Sequence, residues 1–153
     1  MPKPKSKPLN AISLLEEDHK YVRKAFRDFE KMDHEDTEAV QALVQQVCAA
    51  LEAHTKVEEE IFYPAARKAL KDGGDLLAEA EVEHDSAKDL MRKLRRLEPG
   101  SEEYIATFTV LGEYVNHHIK EEEAEMFPKA RRRGMNLELL GKKLMARKVA
   151  LGP

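Results

Sequence analysis

Apolar residues recur at intervals of three and four along most of the chain, with charged residues between them. Leu15, Val22 and Phe26 keep that interval in one stretch, Val47 and Leu51 in a second, Ala80, Ala87 and Met91 in a third, and Leu111 and Val115 in a fourth. This is the period of a helix with one buried face. Breaks at Asp33-His34-Glu35-Asp36-Thr37, Lys71-Asp72-Gly73-Gly74, Glu98-Pro99-Gly100 and Arg131-Arg132-Arg133-Gly134 divide the pattern. The first helix is expected from a cap near Asn10 or Ser13, with capping-box spacing between Ser13 and Glu16, to about Met32. A second runs to the Lys71–Gly74 break, with Pro64 kinking it or ending its regular part. A third spans about Asp75 to Leu97, and a fourth runs from Ser101 to the arginine run, with Pro128 interrupting it near its end. Short connections favour antiparallel neighbours, so the expected fold is all-α: an up-down four-helix bundle over residues 11–134. Residues 135–153 should add a short helix, about Asn136 to Lys148, packed on the bundle, and residues 1–10, with Lys, Ser and three prolines, read as a flexible tail.

Composition narrows the function classes. At 153 residues the chain can bury one core. A formal net charge of −3 provides no basic field for nucleic acid. No stretch has the length and apolarity of a membrane span, and the N-terminus lacks the apolar core of a signal peptide. A lone cysteine, Cys48, fits a reducing compartment, so a soluble cytoplasmic protein is expected, with Cys48 a small apolar helix residue. The arginine run reads as a solvated helix C-terminus, where positive charge complements the dipole.

Two halves of the chain echo each other. His54-Thr-Lys-Val-Glu58 and His118-Ile-Lys-Glu-Glu122 are both HxxxE, each with a proline ten residues after the histidine, Pro64 and Pro128. Glu17-Asp18-His19 likewise resembles Val82-Glu83-His84, with Leu15, Val22 and Phe26 matching Ala80, Ala87 and Met91. Each of the four long helices therefore carries one histidine in its apolar stripe. One such histidine alone would read as a core residue bonded to a carbonyl; four at matching positions, two with a carboxylate one turn on, read as metal ligands. Residues four apart differ by only about 40° around a helix, so each HxxxE presents two donors on one face. An ionised Glu in a bundle core is costly unless it meets compensating charge. By the same arithmetic Glu59 and Glu60 turn toward solvent or an adjacent helix. His117 has the same spacing to Glu121 as His118 to Glu122, and only the matched distance to Pro128 favours His118. His34 reads as a surface residue of a polar turn, and Tyr21, Tyr63, Tyr104 and Tyr114 receive no role.

The ligand set is therefore His19, His54, Glu58, His84, His118 and Glu122. Six donors are too many for one tetrahedral zinc and suit two metals with bridging carboxylates; the mixed N/O set suits iron, with zinc or manganese as the alternatives.

These motifs, Asp18-His19, His54xxxGlu58, Glu83-His84 and His118xxxGlu122, resemble those of the hemerythrin-like, HHE cation-binding family, and the likeness spans about residues 11–130. It implies an antiparallel four-helix bundle around a non-haem di-iron centre, the histidines as terminal ligands and Glu58 and Glu122 as bridges. Oxygen-carrying relatives have HxxxH on the third helix, whereas Ala80 and Lys88 flank His84 here; they have HxxxxD on the fourth, where this chain has HxxxE. Iron-sulfur repair relatives add a cysteine-bearing N-terminal segment, and no cysteine occurs in residues 1–10. The resemblance thus implies a protein of the stand-alone bacterial type whose partner is a small diatomic or peroxide ligand. An oxidoreductase acting on dioxygen, peroxide or nitric oxide is expected, with an oxygen or iron store, or an iron or redox sensor working through another protein, as the competing classes.

Overall fold

A computed structural model describes residues 10–152. These are helical almost throughout, as α1 (Ala11–Lys31), α2 (Thr37–Val57), α3 (Tyr63–Ala69), α4 (Gly74–Arg96), α5 (Glu102–Glu121), α6 (Phe127–Arg132) and α7 (Leu137–Leu151). The expectation of a flexible tail falls on residues outside that range, apart from Asn10. No helix among the described residues is long and apolar enough to cross a membrane.

Local chemistry sets the helix ends. Asn10 caps α1, accepting from the Ser13 amide at 2.9 Å while the Asn10 amide donates to the Ser13 hydroxyl at 3.2 Å. Ser13 is therefore the third helical residue of the capping box, and its expected pairing with Glu16 is replaced by this one. Asp36, Ser101 and Asn136 cap α2, α5 and α7 in the same manner. Gly100 turns the chain into α5 at φ +88°, and a Cβ there would meet the Thr37 side chain.

The second and fourth predicted helices are each interrupted earlier than expected. Glu58–Phe62 and Glu122–Met126 are π-helical turns, and the regular helices resume at Tyr63 and Phe127, one residue before Pro64 and Pro128. A proline has no amide to donate to the carbonyl four residues back, so the ladder cannot run on unbroken. Instead the Tyr63 and Phe127 amides reach five residues back, to the carbonyls of Glu58 and Glu122. The fifth helix, α7, runs three residues past its expected end at Lys148.

Two apolar clusters form the core. One contains Val22, Phe26, Val47, Leu51, Met91 and Phe108, the other Ile12, Leu15, Phe62, Leu77, Met126 and Leu144. α1 and α4 run from the second cluster to the first, while α2 and α5 run from the first toward the second. His19, His54, His84 and His118 all fall between the two, so a buried polar layer separates the apolar ones. α7 packs on α1 and α2, with Leu144 buried, and approaches so closely at Gly141 that a Cβ would lie 2.9 Å from the Asn10 backbone.

Candidate metal centre

All six sequence-derived candidates meet in the polar layer. Donor atoms of His19, His54, Glu58 and Glu122 lie within 4.8 Å of one another, as do those of Glu58, His84, His118 and Glu122. The two groups share both carboxylates. Glu58 and Glu122 are 0% and 1% exposed, and the His118 side chain is 11% exposed against 65% for that of His117. The structure thus turns His118 and Glu122 inward. His117 and Glu121 pair on the surface, at 3.1 Å.

Each imidazole turns its Nε2 toward the carboxylates. His19 Nε2 lies 3.1 Å from Glu122 Oε1, His54 and His84 Nε2 each 3.1 Å from Glu58 Oε1, and His118 Nε2 3.1 Å from Glu122 Oε2. The other ring nitrogen faces an acid from a different helix. His19 Nδ1 meets Glu123 at 2.7 Å, His54 Nδ1 Asp18 at 2.8 Å, His118 Nδ1 Glu83 at 3.0 Å, and His84 Nδ1 Glu59 at a looser 3.5 Å. An acid on Nδ1 fixes the tautomer that leaves Nε2 free to bind a metal. Glu59 therefore does face an adjacent helix, but it is not idle there. Asp18 and Glu83 precede the histidines of α1 and α4 and serve those of α2 and α5, an arrangement visible only once the helices pack.

The acids in turn have partners of their own. Lys88 donates to Glu59 at 2.6 Å and 2.8 Å, Arg23 lies 3.6 Å from Glu123, His117 lies 3.7 Å from Glu83, and Lys148 pairs with Asp18.

One site residue carried no signal in the α-helical pattern. Tyr63, 1% exposed, donates its hydroxyl proton to Glu122 Oε2 at 2.5 Å, and the hydroxyl oxygen lies 3.2 Å from His84 Nε2 and 3.3 Å from His118 Nε2 and Glu58 Oε1. Its counterpart in the second half, Phe127, has no hydroxyl and stacks on His19 at 5.9 Å between centroids. The proline ten residues after each histidine was the available clue, because it forces the turn that swings Tyr63 inward.

Electrostatics and geometry agree that these donors want a cation. Burial would neutralise His54, but the Glu58 and Asp18 carboxylates outweigh it and push its pKa up to about 10. His118 and His84 move up for the same reason, against their burial, and Glu58 is held well below the carboxylate range by His54 despite its own. In the metal-free chain, then, protons supply the positive charge. Even so, His19 Nε2, His54 Nε2, Glu58 Oε2 and Glu122 Oε1 are buried with no hydrogen bond among the described residues, their close contacts lacking the geometry for one, and so is His84 Nδ1 on the outer side of its ring. Four convergent orphan donors, imidazole nitrogen and carboxylate oxygen, fit a metal. Beside them a cavity of about 30 Å³, room for a molecule the size of water, opens against Val22, Leu51, Ala87 and Val115.

A helical fold enclosing a buried His/Glu cluster of this kind defines a metal-binding protein. Residues 10–130 match the model of the hemerythrin HHE cation binding domain, and the chain belongs to that family. A solved hemerythrin HHE cation binding domain-containing protein from Mycobacterium kansasii superposes with a TM-score of 0.79 at 26% identity, covering 93% of this chain and 86% of that one. A protein of Nostoc sp. named as a DNA nickase is 25% identical over 119 residues, 78% of this chain and 33% of the relative. The chain therefore spans about a third of the length of that curated relative.

Proposed function

We propose that the chain holds two non-haem irons and reacts through them with a small oxidant, peroxide or nitric oxide, rather than carrying dioxygen reversibly. The observation that carries this reading is the overlap of the two donor groups: each has two histidines of its own and both share Glu58 and Glu122. His19 and His54 would hold one ion, His84 and His118 the other, with the two carboxylates common to both. The alternating direction of α1, α2, α4 and α5 between the two apolar clusters supports an antiparallel up-down bundle over residues 11–134, with residues 135–153 as an added helix.

When bound, an iron pair supplies two adjacent redox-active positions able to take a two-atom ligand. The chain does the rest. The acids on Nδ1 hold the rings of His19, His54 and His118 in place, and Glu59 lies 3.5 Å from that of His84. The small cavity beside the rings has mostly apolar walls, which suit a diatomic or peroxide ligand. The Tyr63 hydroxyl places a proton at Glu122 Oε2, within reach of that end of the cluster. Burial raises the Tyr63 pKa well above 10, and the two carboxylates add to the effect, so the phenol keeps its proton at neutral pH. Ala80 and Lys88 at the positions flanking His84 leave the α4 side without a fifth imidazole, which favours reaction over carriage. Cys48, half-buried with its thiol pushed up to about 11 by burial, is unreactive and suits a cytoplasmic setting.

The test is metal analysis of protein purified without added metal, followed by optical spectra with dioxygen, peroxide and nitric oxide. Two irons per chain and consumption of peroxide or nitric oxide are expected. One zinc with no iron uptake under anaerobic loading, or a dioxygen adduct stable through many cycles, would refute the reading.

A further inference from the structure

The repeat itself supplies a partner, a cationic side chain or an imidazole, for the acid behind each histidine, with one exception. Arg23 and Lys88 stand four residues after His19 and His84, and they meet the equivalent acids Glu123 and Glu59. In the second half Glu83 meets His117, the residue before His118. The equivalent place before His54 is Ala53, which has no charge to offer Asp18. That place is taken from elsewhere in the chain: Lys148 of α7 donates to Asp18 Oδ1, while Asp18 Oδ2 holds His54 Nδ1. α7 lies beyond residues 10–130, over which the family model matches.

We infer that Lys148 is a positioning residue for one of the two metal positions, reaching it through Asp18 and His54, and that α7 completes the centre as well as covering the bundle. The inference rests on the metal reading above. A carboxylate with both oxygens engaged is held in one orientation, and His54 has no other acid on Nδ1; its Nε2 direction follows from where Asp18 is held. Lys148 is 30% exposed and Asp18 20%, so solvent screens the pair less than an ordinary surface ion pair. Removing the ammonium frees one carboxylate oxygen to turn toward solvent, and the His54 ring gains a rotation that the rings of His19 and His118, whose acids are untouched, do not. The consequence is local: the ion held by His19 and His54 loosens, while the ion held by His84 and His118 does not.

The experiment is release of iron from protein loaded anaerobically with two ferrous equivalents, followed against an excess of a coloured ferrous chelator. Lys148→Met keeps the aliphatic stem and removes the charge. It should release one of the two equivalents about 10-fold faster than wild type, the low end of what a lost partner behind a metal-ligating histidine costs, and leave the other unchanged. Lys148→Arg should restore the wild-type trace. Arg147→Ala breaks α7's other ion pair, with Glu60, and leaves Asp18 alone; both equivalents should leave as in wild type. Unchanged release in Lys148→Met overturns the role of Lys148, and so does equal acceleration of both equivalents, or an Arg147→Ala trace that copies it. Wild-type protein that takes up no iron would instead remove the metal reading itself, and the role of Lys148 with it.

Discussion

Tyr63 and Phe127 hold equivalent places in the two halves of the chain, nine residues after His54 and His118, yet only one of them brings a hydroxyl to the centre. The two donor groups are therefore chemically distinct, and the phenol lies on the side of His84 and His118. Tyr63→Phe should leave iron near two per chain and slow peroxide or nitric oxide consumption on the order of 100-fold, the low end for loss of a positioned proton donor; a full rate would show that the phenol only packs. A second set of variants reads the ligand register through iron per chain. His118→Ala and Glu122→Ala should lose most of the metal, whereas His117→Ala and Glu121→Ala, both on the surface pair, should keep nearly all of it. Glu59→Ala belongs between these limits, because it strips the acid from His84 Nδ1 without removing a donor. Retention in His118→Ala with loss in His117→Ala would reverse the assignment.

The helices were readable from the sequence because apolar periodicity, caps and Gly/Pro breaks all act within a few residues of one another. The six donors were readable because the repeat placed four histidines on apolar stripes. The π turns escaped because α-helical arithmetic assumes an unbroken ladder. On that count Tyr63 sits about 140° from Glu58 and faces away; a turn that takes in one extra residue removes about 100° of this and brings the hydroxyl to the carboxylates. The acids behind the rings escaped for another reason: each comes from a different helix, and no local rule couples Asp18 to His54 or Glu123 to His19. Deleting Glu60 tests the element directly. The shortened segment can regain a regular ladder with Tyr63 four residues after Glu58, again about 40° around the axis, so the phenol should stay on the carboxylate face and iron per chain should stay near wild type. Loss of iron and turnover in the deletion would mean that the angle alone does not account for the placement of the phenol.

For the molecule as a whole, the polar layer between two apolar cores is stable only while its charges are balanced. Metal-free protein should melt lower than loaded protein, since removing the metal leaves two buried carboxylates to be neutralised by imidazolium alone. The sign of its pH dependence follows from His54, whose pKa is raised by folding from 6.5 to about 10. Its contribution is complete below about pH 6.5, declines as pH rises, and is gone above about pH 10. His84 and His118 shift in the same direction. Thermal melts of the chelated chain across pH 6 to 10.5 should therefore fall steadily, with a much flatter curve for loaded protein; a rise toward alkaline pH would contradict the charge balance described above.

The Lys148–Asp18–His54 connection also has a consequence in time. A chain is made from its N-terminus, and Lys148 follows Glu122 by 26 residues. At roughly 5–20 residues per second, all six donors exist for about 1–5 s before that ammonium does. Through that interval the acids facing Arg23 and Lys88 have their counter-charge while Asp18 stands open. An ion arriving early meets a vessel with its last latch still unmade, and the arrival of α7 is what closes it.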